Sequence, residues 1–178
     1  MKSSQIELLP LSLSHCEELV RYAQDPTLWT WWLRRPPTHL FQMQQEIQTA
    51  LDQQRQGLRI AYAIKHIERH ELIGSTSFLN INAAHQTIEI GGTWLGTPFQ
   101  NLGINRECKQ LLINHAFDEL KMNRLTLQTD ALNMKSRRAI EKLGAAFEGI
   151  LRHDRVVWDG RIRSTAVYSI LKDEWLNS

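Results

Sequence analysis

The chain has 178 residues, 42% hydrophobic and 22% charged, with a net charge of +2. This length fits one domain, residues 1–178, that buries its core without disulfide or metal staples. So small a charge gives no reason to expect nucleic acid or a membrane surface as partner. Two cysteines, Cys16 and Cys108, without C-x-x-C spacing, argue against a disulfide framework, and Cys108 falls on an apolar helix face as a packed, reduced thiol. No apolar h-region opens the chain and no apolar run reaches spanning length, so the expected location is cytoplasmic.

In chain order, Gln5 to Pro10 reads as a short strand. Ser14-His-Cys-Glu17 reads as a capping box before a helix striped with Cys16, Leu19, Val20 and Ala23, which Asp25-Pro26 stops. A tryptophan-rich segment, Trp29-Thr-Trp31-Trp32, follows and closes at Pro36-Pro37. Thr38 is the expected cap of a second helix with Leu40, Met43, Ile47, Ala50 and Leu51 on one face, ended by Gly57. Arg59 to His66, Leu72 to Ile81 and Thr87 to Leu95 make an antiparallel meander. The next helix is predicted from Ile104 to Leu120, then a strand at Arg124 to Thr129 and a helix from Lys135 to Leu143. Ala146 to Trp158 and Ile162 to Leu171 pair through Asp159-Gly160, a sequence suited to a type I′ turn. The order β-α-α-β-β-β-α-β-α-β-β predicts a mixed, mostly antiparallel twisted sheet of α/β (α+β) class with helices on both faces. The unit from Thr87 to Thr129 supplies its parallel pair.

The junction from Trp94 to Glu107 is the most informative stretch. A strand runs into a loop built on Gly96, Pro98 and Gly103, and a helix starts at once. Such a junction turns unpaired N–H groups outward at the positive end of a helix dipole, a site suited to phosphate. The alternative is a plain strand-to-helix turn in which Gly103 only supplies a positive φ. Alternation puts Thr87, Glu89, Gly91 and Thr93 on one face of the preceding strand, and Gly91-Gly92 in mid-strand marks a bulge or close backbone approach. Three tryptophans in four positions cannot all face inward on a regular element, so at least one is expected at the surface. His66 and His70 have i,i+4 spacing but lie across a turn with no third ligand nearby, so no metal site is expected.

Gln100-Asn-Leu-Gly103-Ile-Asn105 resembles the cofactor loop of the GNAT superfamily of N-acetyltransferases, whose pattern is Gln/Arg-x-x-Gly-x-Gly/Ala. Thr129-Asp-Ala-Leu-Asn133-Met-Lys-Ser136 and Ala139 to Phe147 match a second signature of that superfamily. Glu89-Ile-Gly91, Asn133-x-x-Ser136 and the stretch from Asp159 to Tyr168 resemble its RimJ/RimL-type group. Two positions depart from the pattern. Asn105 replaces the usual Gly or Ala, and Ile140 stands where many members carry a tyrosine that protonates the leaving thiolate.

The resemblance implies transfer of the acetyl group of acetyl-CoA, a co-substrate, to a primary amine, with no metal. Cofactor contacts are then expected from Trp94, Leu95, Gln100, Asn101, Leu102, Gly103, Ile104, Asn105, Arg106, Asn133 and Ser136. Backbone N–H groups from Asn101 to Arg106 would hold the diphosphate, and Gly92 to Leu95 would line the pantetheine arm. Glu89 is the expected base, through a water, and Ser136 the hydroxyl nearest the leaving thiolate. The rival readings are a solvent-facing glutamate, an exposed first-turn serine, and Asn133 as a helix cap. Trp29, Trp31 and Trp32 with Tyr168 are either acceptor-site walls or core. The first expected acceptor is a protein N-terminal α-amine. The alternatives are a small-molecule amine (metabolite, polyamine or antibiotic), a non-catalytic acyl-CoA-binding module, or an interaction domain using the tryptophans and the basic stretch from Arg152 to Arg163. Members of the superfamily are often dimers, so the resemblance also admits a homodimer.

Overall fold

In the computed structural model, which describes residues 1–177, seven strands form one sheet in the order β1-β2-β3-β4-β5-β7-β6. They are β1 (Ile6–Pro10), β2 (Arg59–His66), β3 (Glu71–Asn82), β4 (Thr87–Leu95), β5 (Arg124–Asp130), β6 (Ala146–Val156) and β7 (Ile162–Leu171). Every neighbouring pair is antiparallel except β4 and β5. The helices are α1 (Cys16–Ala23), α2 (Leu40–Arg55), α3 (Ile104–Asn114), α4 (Met134–Glu141) and a short terminal α5 (Lys172–Leu176). Among the described residues no helix is long and apolar enough to cross a membrane. The mixed sheet with helices on both faces is the expected fold.

Strand alternation sorts two apolar layers. On β2, Ala61 and Ala63 face α1 and α2, packing with Leu19, Ala23, Met43, Ile47, Trp29 and Trp94. Tyr62 and Ile64 face the other way, toward α3 and its Ile104, Cys108 and Leu112. Small residues on one side let the α1–α2 pair sit close to the sheet; the larger layer under α3 holds most of the core. Both cysteines are free and buried. Burial pushes the Cys108 thiol up to about 11, so it stays a packed thiol.

Several local expectations need correction. The first box forms two residues earlier: the Ser12 hydroxyl accepts from the Ser14 N–H and His15 Nδ1 accepts from the Ser12 N–H, around a 3-10 turn that leads into α1. Thr38 does not cap α2. The Gln42 carboxamide reaches back and accepts from the N–H groups of Thr38 and His39. The helix predicted to Leu120 leaves α geometry at Asn114 and widens into π turns over His115–Glu119, with Leu120 N–H donating to the His115 carbonyl at 3.0 Å. The β6–β7 turn is not type I′, which needs positive φ at both central residues. Only Gly160 has it (φ 92°), and Gly160 N–H bonds the Val157 carbonyl while Val157 N–H bonds the Arg161 carbonyl, a three-residue turn.

Candidate active site

The loop after β4 makes a 3-10 turn at Thr97–Phe99 and reaches α3 through Gly103, whose φ of 82° places it in the left-handed region. Asn101 is also left-handed, at 63°. These two reversals aim successive N–H groups outward. Among the described residues the N–H groups of Asn101, Leu102, Gly103, Ile104 and Asn105 have no acceptor. The Arg106 and Glu107 N–H groups turn inward to the Gly103 carbonyl (2.9 and 3.1 Å), so the expected run stops one residue short of Arg106. Ile104 offers only its N–H, because its side chain is core. Arg106 is exposed, and Lys135 Nζ reaches the same loop at 2.8 Å from Gln100 Oε1, adding a second cation.

The first turn of α3 is anchored from below. The Glu107 carboxylate accepts from Ser3 and Ser4 hydroxyls and from the backbone and side chain of Gln5. Burial alone would raise this carboxyl; the hydrogen bonds from Ser3, Gln5 and Ser4 hold it below the ordinary range.

Beside the loop, β4 and β5 part. Parallel pairing runs from Thr87↔Arg124 to Ile90↔Leu127 and stops. Beyond it, Gln128 to Asp130 pair only with β7, and Gly91 to Leu95 only with β3. The divergence starts at a bulge: Gly91 faces Ser77 and Trp94 faces Ser75, so Gly92 and Thr93 share one partner position, with Gly92 at φ 58°. The extra residue reverses the alternation. Thr93 therefore leaves the Glu89 face and turns toward α3, where its hydroxyl meets Thr76 (2.7 Å) and Lys109 Nζ (2.6 Å). Trp94 and Leu95 keep their side chains buried, and the Leu95 carbonyl is taken by Gln100 Nε2 at 3.1 Å. Across the gap, Asn133 caps α4 by accepting the Ser136 N–H at 3.0 Å. Ser136 is half-buried in the first turn, and Ile140 packs into the core.

Glu89 does not face solvent: it is 8% exposed. Asn80, in the left-handed region where β3 loses register, donates to Glu89 Oε2 at 2.8 Å. Burial pushes the Glu89 carboxyl above its ordinary value, against the Asn80 hydrogen bond and the positive charges of Arg155, Arg163 and Lys109. On the other face, burial pushes the Lys109 ammonium down to about 8. Such shifts concentrate where charge is handled.

The tryptophans divide. Trp29 is core, with Nε1 on the Ala23 carbonyl. Trp32 meets it edge-on, and Trp31 lies half-exposed under the Arg161 guanidinium at 5.5 Å. Trp158 Nε1 ties the β6–β7 turn to the Trp29 carbonyl. Tyr168 is core and not a cleft residue: it is fully buried, and its hydroxyl donates to Glu141 and accepts from Arg137. Sequence reasoning missed Asn80, Arg59, Lys109 and Lys135. Arg59 and Lys109 interrupt otherwise apolar faces, which is the signal that marks them.

A family profile described as Acetyltransferase (GNAT) domain matches residues 5–146. A Bacillus subtilis relative named as a candidate ribosomal N-acetyltransferase, YdaF, is 35% identical over 104 residues, covering 58% of this chain and 56% of its own length, a little over half of that relative. The uncharacterised N-acetyltransferase p20 of Bacillus licheniformis is 28% identical over 173 residues, covering 97% of this chain and 96% of its own. A solved GCN5-related N-acetyltransferase from Brucella melitensis superposes with a TM-score of 0.90 at 27% identity, covering 98% of this chain and 79% of that one.

Proposed function

Since the chain belongs to the GNAT acetyltransferase family and is an acyl-CoA-dependent N-acetyltransferase, we propose that its acceptor is a protein N-terminal α-amine and that Glu89 receives the amine's proton. Residues 1–178 act as one domain on this reading, with the seven strands in a single sheet. The free thiols fit a reducing, cytoplasmic setting.

The five outward N–H groups and the Lys135 and Arg106 charges suit a diphosphate. The parted strands suit an extended arm laid along Gly91 to Leu95. Bound there, acetyl-CoA supplies an electrophilic thioester, so no covalent enzyme intermediate is required. The chain's own tasks are to orient the two reactants, to accept a proton and to solvate a departing thiolate. Asn133 and Ser136 stand on the α4 side of the gap for the last of these. Ile140 offers no hydroxyl, which leaves Ser136 or water.

The observation that carries the acceptor reading is the buried Glu89 carboxylate, fixed by Asn80 at the point where β4 leaves β5. It is a weak base, even with its pKa raised. At pH 7 an α-amine needs about 1 kcal/mol to lose its proton and a lysine about 4.6 kcal/mol. A water-relayed carboxylate therefore suits the α-amine. The relative YdaF is named as a candidate ribosomal N-acetyltransferase. Mass spectrometry of a peptide bearing both a free N-terminus and an internal lysine tests this. Acetyl on the α-nitrogen supports the reading, and acetyl on lysine Nζ alone removes it.

A further inference from the structure

Arg59 opens β2 on the face shared by Glu89 and is 7% exposed. Ser77 Oγ holds its Nε at 2.8 Å and Gln53 Oε1 lies 3.4 Å from Nη1. No carboxylate bonds it, and Nη2 has no acceptor among the described residues. Glu46 acts on this buried guanidinium only through space, so desolvation still lowers its pKa and Nη2 keeps a hydrogen-bond donor for an incoming anion. Arg59 lines a recess walled by Trp29, Trp32 and Trp94, with Arg34 and Arg35 at its rim. The recess holds one carboxylate, Glu46, and Arg34 already clamps both its oxygens at 3.0 and 3.2 Å. Three guanidinium groups thus face one neutralised acid.

The recess and Glu89 flank the same two glycines. Glu89 Oε1 lies 3.2 Å from where a Cβ on Gly91 would stand, and Arg59 Nη2 lies 3.5 Å from the same point on Gly92. Adding one residue step puts the two groups no more than about 14 Å apart. Gly92 leaves Arg59 Nη2 within van der Waals reach of the strand, while the Leu79 side chain covers Gly91, its Cδ1 2.7 Å from that glycine's Cβ position.

We propose that the Arg59 recess is an anion subsite of the acceptor cleft, taking a carboxylate carried by the substrate beyond its reacting amine. This rests on the α-amine reading above. On that reading the carboxylate belongs to an Asp or Glu at the second or third position of the acceptor peptide, since an extended peptide advances about 3.5 Å per residue. Arginine suits this role through its planar fork, which a lysine does not reproduce.

The test compares pairs of acceptor peptides that differ only in Glu against Gln at position two or three, with the wild-type protein, Arg59→Met and Arg59→Lys. For wild type, kcat/KM is expected to be at least tenfold higher for a Glu peptide than for its Gln twin, through KM. Arg59→Met should erase the preference and Arg59→Lys should keep part of it. Equal kcat/KM for the twin peptides with wild type overturns the subsite while leaving the α-amine acceptor standing. If peptides are not acetylated but an α-amino acid is preferred over its amide in an Arg59-dependent way, the subsite stands and the peptide acceptor falls. Thermal melting with succinate reads the site without turnover: Tm should rise for wild type and not for Arg59→Met. No rise in wild type overturns the proposal, and because this arm and the twin peptides need only wild type, a variant that fails to fold does not block it.

Discussion

Replacing Lys109 with Met should change how stability depends on pH. Lys109 is buried in α3, with Thr93 Oγ1 as its hydrogen-bond partner at 2.6 Å, directly under the bulge that opens the strand gap. Its pKa falls from 10.5 to about 8, mainly through burial. Below pH 8 the ammonium is charged both folded and unfolded, and the folded state bears the full desolvation cost. Between pH 8 and 10.5 the unfolded chain binds more protons than the folded one, so this group makes stability rise with pH. A shift of that size corresponds to about 3 kcal/mol. Urea unfolding of wild type and Lys109→Met from pH 7 to 10.5 isolates the effect. Wild type should gain about 3 kcal/mol relative to the variant across that window. A difference that stays flat, or that falls as pH rises, would refute the claim that burial lowers the pKa of this ammonium in the folded state.

Four further outcomes follow from the geometry. Glu89→Gln should lower turnover about 100-fold. It should also remove the acidic limb of the kcat/KM profile, a limb that lies above the ordinary Glu range in wild type, while acetyl-CoA affinity holds. Gly103→Val puts a β-branched residue at φ 82° and should weaken acetyl-CoA binding more than tenfold by isothermal titration, with the far-ultraviolet spectrum intact. Trp29→Ala removes a core side chain and should cost about 4 kcal/mol in denaturant unfolding. Tyr168→Phe loses hydrogen bonds to Glu141 and Arg137 and should cost about 1 kcal/mol of stability, with KM for the acceptor unchanged.

The sheet was legible because its strands carry period-two patterns bounded by turn residues; Arg59–His66, Thr87–Leu95 and Ile162–Leu171 match residue for residue. The left-handed Gly103 and a bulge beginning at Gly92 were legible because glycine there has few other uses. Caps were less so. Ser12, Ser14 and Thr38 are equivalent by type, and only the 3-10 turn before α1 and the reach of Gln42 select among them. Thr93 was misplaced for a physical reason: one inserted residue flips every later side chain, and its exact position depends on pairing with Ser75 and Ser77. Tyr168 and Trp29 were undecided because burial of an aromatic depends on layers packed from distant segments. Arg59 and Lys109 escaped notice because an apolar pattern tolerates a charge on paper, whereas their burial is visible only in three dimensions.

Isothermal titration of the pure protein with acetyl-CoA, CoA and pantetheine tests the central claim most directly. Outward N–H groups from Asn101 to Asn105 predict saturable binding of both nucleotides at one site per chain, with pantetheine, which lacks the diphosphate, far weaker. Absence of binding by acetyl-CoA, or pantetheine binding as tightly as CoA, would contradict it.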